Sequence, residues 1–135
     1  MLRIIQSLKS APTQIKDRVL GKAPKGAKRS PKWAALRKKH LKENPKCAHC
    51  GSLKKLEVHH LKPFHAHPEL ELEPKNLITL CESKERGVDC HRFVGHLGNY
   101  RLINEKTLEM VGLYQEALKL AQALGAANKK TPQGL

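Results

Sequence analysis

Apolar residues recur as Trp33, Leu36 and Leu41 through a stretch otherwise rich in lysine and arginine, the spacing of one helical face. Ser30-Pro31 ahead of them supplies an N-cap and a proline for the first helical position, and Asn44-Pro45 ends the helix. Beyond Pro45 the period shortens. Leu53 to His60 reads as a short β segment. Leu61 to Pro74, with Pro63, Pro68 and Pro74, reads as an irregular loop, and Asn76 to Cys81 as a second strand. A helix is expected to start near Cys90 and to carry His91 and Arg92. Residues Glu105 to Leu124 form an amphipathic helix, with Leu108, Val111, Leu118 and Leu124 among its apolar positions. The end, Asn128 to Leu135, is expected to fray. Strand, loop, strand and helix between two further helices make this an α+β chain.

A length of 135 residues accommodates one small domain with tails. The pattern divides it into a basic flexible arm (1–29), a domain (30–101) and a C-terminal helix with its tail (102–135). The arm sets Gly21, Pro24 and Gly26 among Lys22, Lys25, Lys28 and Arg29, with few apolar groups to bury, so it is expected to be disordered apart from a short helix over 2–9 or 13–20. No window approaches the roughly 18 apolar residues of a membrane span, so a soluble protein without a membrane partner is expected.

Charge sharpens this division. Lys and Arg total 26 against 12 Asp and Glu, a formal +14, which favours a polyanionic partner. Residues 1–46 hold 14 of the basic residues and only two acids, Asp17 and Glu43, so the basic footprint is N-terminal. Lys28, Arg29, Lys32, Arg37, Lys38 and Lys39 are the candidate phosphate contacts, against the plainer reading of a solvated helix face. An organelle transit peptide is the competing reading of the arm, and no cleavage pattern supports it.

The nearly neutral segment 47–101 instead holds all four cysteines and seven of the eight histidines. Cys47-x-x-Cys50 is a knuckle spacing whose thiolates can converge on one metal, and Cys81 and Cys90 would complete a four-cysteine structural zinc site across a polar loop. Two disulfides are the poorer alternative, and His49 could replace one thiolate. Zinc would offset the small core of so short a chain. A zinc ribbon leaves His59, His60, Asn76 and His91 without a purpose. If the cysteines fix two strands and the start of a helix, His59 and His91 can face each other and hold a hard cation over a scissile phosphate. His60, on the opposite side of its strand, can then act as a base.

Together these pieces resemble the HNH endonuclease family: Cys47-Ala-His-Cys50-Gly, Val58-His59-His60-Leu-Lys-Pro63, Asn76-Leu-Ile-Thr-Leu-Cys81 and Cys90-His91, in the family's order. Arg29-Ser-Pro-Lys-Trp33 and Phe93-Val-Gly-His96-Leu-Gly-Asn99 are similar to the small phage and bacterial members, and the likeness covers about residues 29–101. It implies a small zinc-stabilised ββα-metal finger that hydrolyses DNA with a catalytic divalent cation, Mg²⁺, Mn²⁺, Ni²⁺ or Zn²⁺. It implies His59 and His91 as ligands of that cation, His60 as general base and Asn76 as the residue that holds the base-bearing loop.

His96 falls five residues after His91 rather than three or four, and is left as third ligand, phosphate contact or core group. The cytoplasm of a bacterial or phage-infected cell is the implied location. DNA is the implied partner, a phage terminase or other protein could dock on the C-terminal helix, and no small-molecule substrate is expected. A non-catalytic zinc-ribbon DNA-binding module is the alternative function.

Overall fold

The computed structural model describes residues 28–130, and their side chains as far as residue 125. The expected arm therefore lies outside the described residues except for Lys28 and Arg29, as does the tail from residue 131. The elements are α1 (Trp33–Glu43), β1 (Leu56–His60), β2 (Leu77–Cys81), a π-helical turn (His91–Gly95) and α2 (Thr107–Lys130). Single 3₁₀ turns at Pro68–Leu70 and Pro74–Asn76 interrupt the loop between the strands. Each opens on a proline, whose fixed φ suits a first helical position.

The two strands form one antiparallel pair in the register Leu56↔Cys81 to His60↔Leu77, with His59 opposite Ile78. Every residue of β2 is buried, Thr79 among four apolar residues, as a strand covered on both sides requires. Leu80, Cys81, Cys90, Val94 and Ile78 make the centre of the core, and Val111 brings α2 onto it. The result is an α+β domain in which an antiparallel pair and a helical turn carry the chemistry, the ββα order expected.

Several boundaries move. Helix α1 begins at Trp33, two residues later than Ser30-Pro31 suggested, and its cap position, Lys32, makes no side-chain capping bond. Ser30 still works locally: its hydroxyl accepts from Lys32 N at 3.2 Å, and its carbonyl from Trp33 N at 3.0 Å, closing a tighter first turn. The helix buries none of its residues fully, so Trp33, Leu36 and Leu41 are a half-buried rather than a core face. Strand β1 is shorter than expected because Lys55 takes a positive φ of 49°, which breaks the pleat before Leu56.

Asn104 starts α2. Its side chain accepts from Lys106 N at 3.0 Å and donates to Val94 O at 2.6 Å, tying the helix start to the π-helical turn. Thr107, fully buried, donates to Asn104 O at 2.9 Å. The helix continues to Lys130, past Asn128 where fraying was expected. No helix among the described residues is long and apolar enough to cross a membrane.

Candidate metal centres and active-site cleft

The knuckle hangs from β2 by Ala48 N to Thr79 O at 2.9 Å, and its tight turn closes through Gly51 N to Cys47 O at 2.9 Å. Gly51 sits at φ +76°, the left-handed region that favours glycine. The turn brings Cys47 and Cys50 against Cys81 at the end of β2 and Cys90 at the head of the π-helical turn. All four sulfurs lie within 4.8 Å of one another.

The geometry fits a metal ion. Sulfurs at the corners of a tetrahedron about 2.3 Å from a zinc ion would be about 3.8 Å apart, and Cys50 and Cys81 are 3.6 Å apart. All four are free cysteines, so the disulfide alternative is not met.

The electrostatics point the same way. A hydrogen bond from Cys90 stabilises the Cys47 thiolate and pulls its pKa down to about 4, while that same bond and burial push Cys90 up. Burial likewise raises Cys50. Packed together, these thiols cannot all ionise by themselves, and a dication is what would let them. The cluster could therefore hold a metal ion such as zinc. His49 stands beside it rather than in it, with Nδ1 3.4 Å from Cys90 Sγ and its ring stacked on Tyr114 at 4.0 Å. From α2, Gln115 donates to the carbonyls of Ala48 and His49 at 3.0 and 2.7 Å, clamping the knuckle from outside.

A second cluster joins β1 to the π-helical turn and the residue that follows it. His59, His91 and His96 each bring a ring nitrogen within 4.8 Å of the others. Their ring centroids are 4.8–5.3 Å apart and steeply inclined. The π-helical turn explains the odd spacing. With i→i+5 hydrogen bonding the turn is wider than an α-helical one, so His91 and His96 come back toward the same side.

Two of the three histidines are oriented from behind. Glu82 accepts from His91 Nδ1 at 2.9 Å, and the Leu102 carbonyl accepts from His96 Nδ1 at 2.9 Å, which leaves Nε2 of both rings with its lone pair. His59 is buried, and burial, then the charges of His96, His91 and His60, lower its pKa to about 3. It is neutral at physiological pH and free to act as a donor to a cation. Gly95 makes room for it, since a Cβ there would meet the His59 ring at 3.0 Å.

His60 follows on β1. Its Nε2 lies 3.0 Å from the Glu71 carbonyl, which can only accept, so that nitrogen carries the proton and Nδ1 is the open acceptor. Trp33 packs over its ring at 4.5 Å. Burial lowers its pKa, the Glu71 carbonyl opposes the shift, and the charge of Arg29 adds to it.

Asn76 closes the loop that carries Glu71. Its Oδ1 accepts from Lys62 N at 2.8 Å, and its Nδ2 donates to the carbonyls of Lys62 and Leu70 at 2.9 and 3.1 Å. His59, His60, His91 and His96 all line one cleft of about 340 Å³, which Arg29 and Tyr100 also border.

The candidate phosphate contacts divide. Arg37 is held by Glu57 at 2.8 Å, Lys39 by Glu43 at 3.9 Å, and Arg29 by Glu71 at 3.6 Å. The Arg29 guanidinium also lies over Phe64 at 4.5 Å and Trp33 at 5.2 Å. Lys28, Lys32 and Lys38 are exposed. His65 lines the cleft, and His67 pairs with Glu69 at 3.2 Å.

Sequence reasoning missed Glu71 and Glu82. The first receives Ser30 N on both carboxylate oxygens and offers its carbonyl to His60. No spacing marks it. Glu82 had a signal, its place directly after a candidate zinc ligand.

Residues 47–94 match the family model described as HNH endonuclease, and the four-cysteine cluster fits the small type within that family. Neither the curated proteins nor the solved structures contain a match to the chain.

Proposed function

We propose, from the HNH endonuclease domain at residues 47–94, that the chain is a metal-dependent DNA endonuclease acting in the cleft over His59, His60, His91 and His96. The observation that carries this reading is the convergence of three imidazoles within 4.8 Å on the wall that also presents His60. A zinc-ribbon module that only binds DNA needs the cysteines and the basic surface and has no use for these histidines.

His59, His91 and His96 would hold a divalent cation such as Mg²⁺, Mn²⁺, Ni²⁺ or Zn²⁺. When bound, that cation supplies Lewis-acid stabilisation of charge on the phosphate and on the departing 3′ oxygen. His60 accepts the proton of the attacking water at Nδ1, since Nε2 is engaged with Glu71 O. The new bond joins the water oxygen to phosphorus, and the bond from phosphorus to the 3′ oxygen breaks with its electron pair on that oxygen, which takes a proton from solvent, leaving a 5′-phosphate and a 3′-hydroxyl. Burial keeps His60 below the ordinary histidine range and so unprotonated at neutral pH, as a base must be.

Asn76 is a positioning residue, because its three hydrogen bonds fix the loop whose carbonyl orients His60. The four cysteines would hold a structural zinc ion, and the exposed Lys28, Lys32 and Lys38 would give the duplex backbone its contacts.

Supercoiled plasmid incubated with the protein and Mg²⁺, Mn²⁺ or Ni²⁺, against EDTA, tests the proposal. Cleavage that needs metal, and that His60→Ala loses while still shifting DNA in a gel, is the expected result. Intact plasmid under every metal, with DNA binding retained, would replace the nuclease by the binding module.

A further inference from the structure

Resting on the three-histidine cation site above, we propose that Glu82 is a positioning residue for that site: its carboxylate holds the His91 Nδ1–H and turns Nε2 toward His59 and His96. The contact is 2.9 Å between Glu82 Oε1 and His91 Nδ1. A carboxylate only accepts, so this bond selects one tautomer of His91 and leaves a single lone pair for a cation. It also places a negative charge behind the ring, which makes the imidazole a stronger donor. His96 lacks that charge, since its partner is the neutral carbonyl of Leu102.

The backbone explains why this carboxylate is there. Glu82 follows Cys81 just as His91 follows Cys90, and the two cysteines share one sulfur cluster. Glu82 N donates to Lys55 O at 2.8 Å, extending the strand ladder one residue past Leu56↔Cys81. Buried Cys81 and Ser83 flank it, and the Ser83 carbonyl lies 3.7 Å from Cys81 Sγ. The distance between the Glu82 and His91 backbones is thus set by the cysteine cluster, although the Glu82 side chain is itself 41 % exposed. A solvated ion pair chosen only for surface charge needs no such anchoring.

The test uses the full-length, zinc-loaded protein and Ni²⁺ as the probe, with affinity measured by titration calorimetry and the His91 tautomer by long-range ¹H–¹⁵N NMR. Glu82→Ala should bind Ni²⁺ about 10–100-fold more weakly and should gain the Nε2–H tautomer at His91. Glu82→Gln, whose amide oxygen can still accept, should keep the Nδ1–H tautomer and fall between the two in affinity. Thermal melting of both variants should stay near wild type, because the replaced side chain is an exposed one outside the core.

Ni²⁺ affinity unchanged in both variants, with His91→Ala abolishing binding, would overturn the role of Glu82 alone. An unchanged tautomer in Glu82→Ala would do the same. Wild-type Ni²⁺ binding in both His59→Ala and His91→Ala would instead remove the cation site, and this proposal with it.

Discussion

Replacing Gly95 by alanine puts a methyl group 3.0 Å from His59 Cε1, 3.1 Å from Nδ1 and 3.3 Å from Nε2. Ordinary contact begins near 3.4 Å, so the ring or the π-helical turn must give way by about 0.4 Å. The ring has little room to retreat, since His59 is 5 % exposed and its backbone is locked opposite Ile78. Overpacking of this kind costs about 1–3 kcal/mol. Gly95 is not among the glycines with positive φ, so alanine also recovers about 0.4–1 kcal/mol by restricting the unfolded chain. A net loss of about 1 kcal/mol lowers Tm by roughly 4–8 °C in a domain of this size. The larger effect falls on the cation site, where ligand distances tolerate only about 0.2 Å. Ni²⁺ affinity of the zinc-loaded protein should fall by roughly tenfold or more, read by calorimetry beside a thermal melt. Wild-type affinity together with wild-type melting would show that Gly95 does not seat His59.

Cys50→Ser should lose zinc and cooperative melting together, because metal binding and folding are one equilibrium in so small a domain; full zinc content by elemental analysis with an unchanged melt would contradict the four-cysteine site. Asn76→Ala removes three hydrogen bonds from a buried side chain, for about 2–4 kcal/mol, and should slow plasmid cleavage through the displaced loop while Ni²⁺ binding at the histidines persists. His40 is held below the ordinary histidine pKa of 6.5, chiefly by burial with Glu43 opposing, so the unfolded chain takes up its proton first as pH falls. Its contribution to stability is complete above about pH 6.5 and is lost progressively below. His40→Leu should make that part of the Tm-against-pH curve shallower, the remaining slope belonging to His49, His59 and His60, which burial also lowers, and an identical curve in the variant would refute the assignment.

The parts of the fold that sequence made legible are those with a strong local rule. Leu77 to Cys81 is a short run, apolar but for Thr79, that includes two β-branched residues, and such a run has few alternatives to a buried strand. The Cys-x-x-Cys turn is equally local, since its geometry needs only two thiols and a glycine at φ +76°. Less legible were the places where tertiary contacts outvote propensity. Ser30-Pro31 has every mark of a helix start, yet Glu71, 41 residues away, takes Ser30 N on its carboxylate and holds that peptide just ahead of the helix. Trp33 reads as the anchor of a core face, but its place is half-buried over the His60 ring rather than in the core.

His96 shows most clearly what pattern reasoning cannot supply. Counted on an α-helix, five residues from His91 is a turn and a half, and the two side chains point apart. Nothing in His-Arg-Phe-Val-Gly-His announces a wider turn, yet His91–Gly95 is π-helical and the sixth residue returns beneath the first. The widening has identifiable partners on either side. Asn104 and Thr107 both bond to the Val94 carbonyl, at 2.6 and 3.4 Å, so α2 satisfies the backbone where the turn is loosened. Gly95 sits in the same turn with no side chain to oppose the His59 ring. The third imidazole is therefore set by a helix more than ten residues downstream and by a strand more than 35 residues upstream. A residue count within the motif alone would have had to guess it.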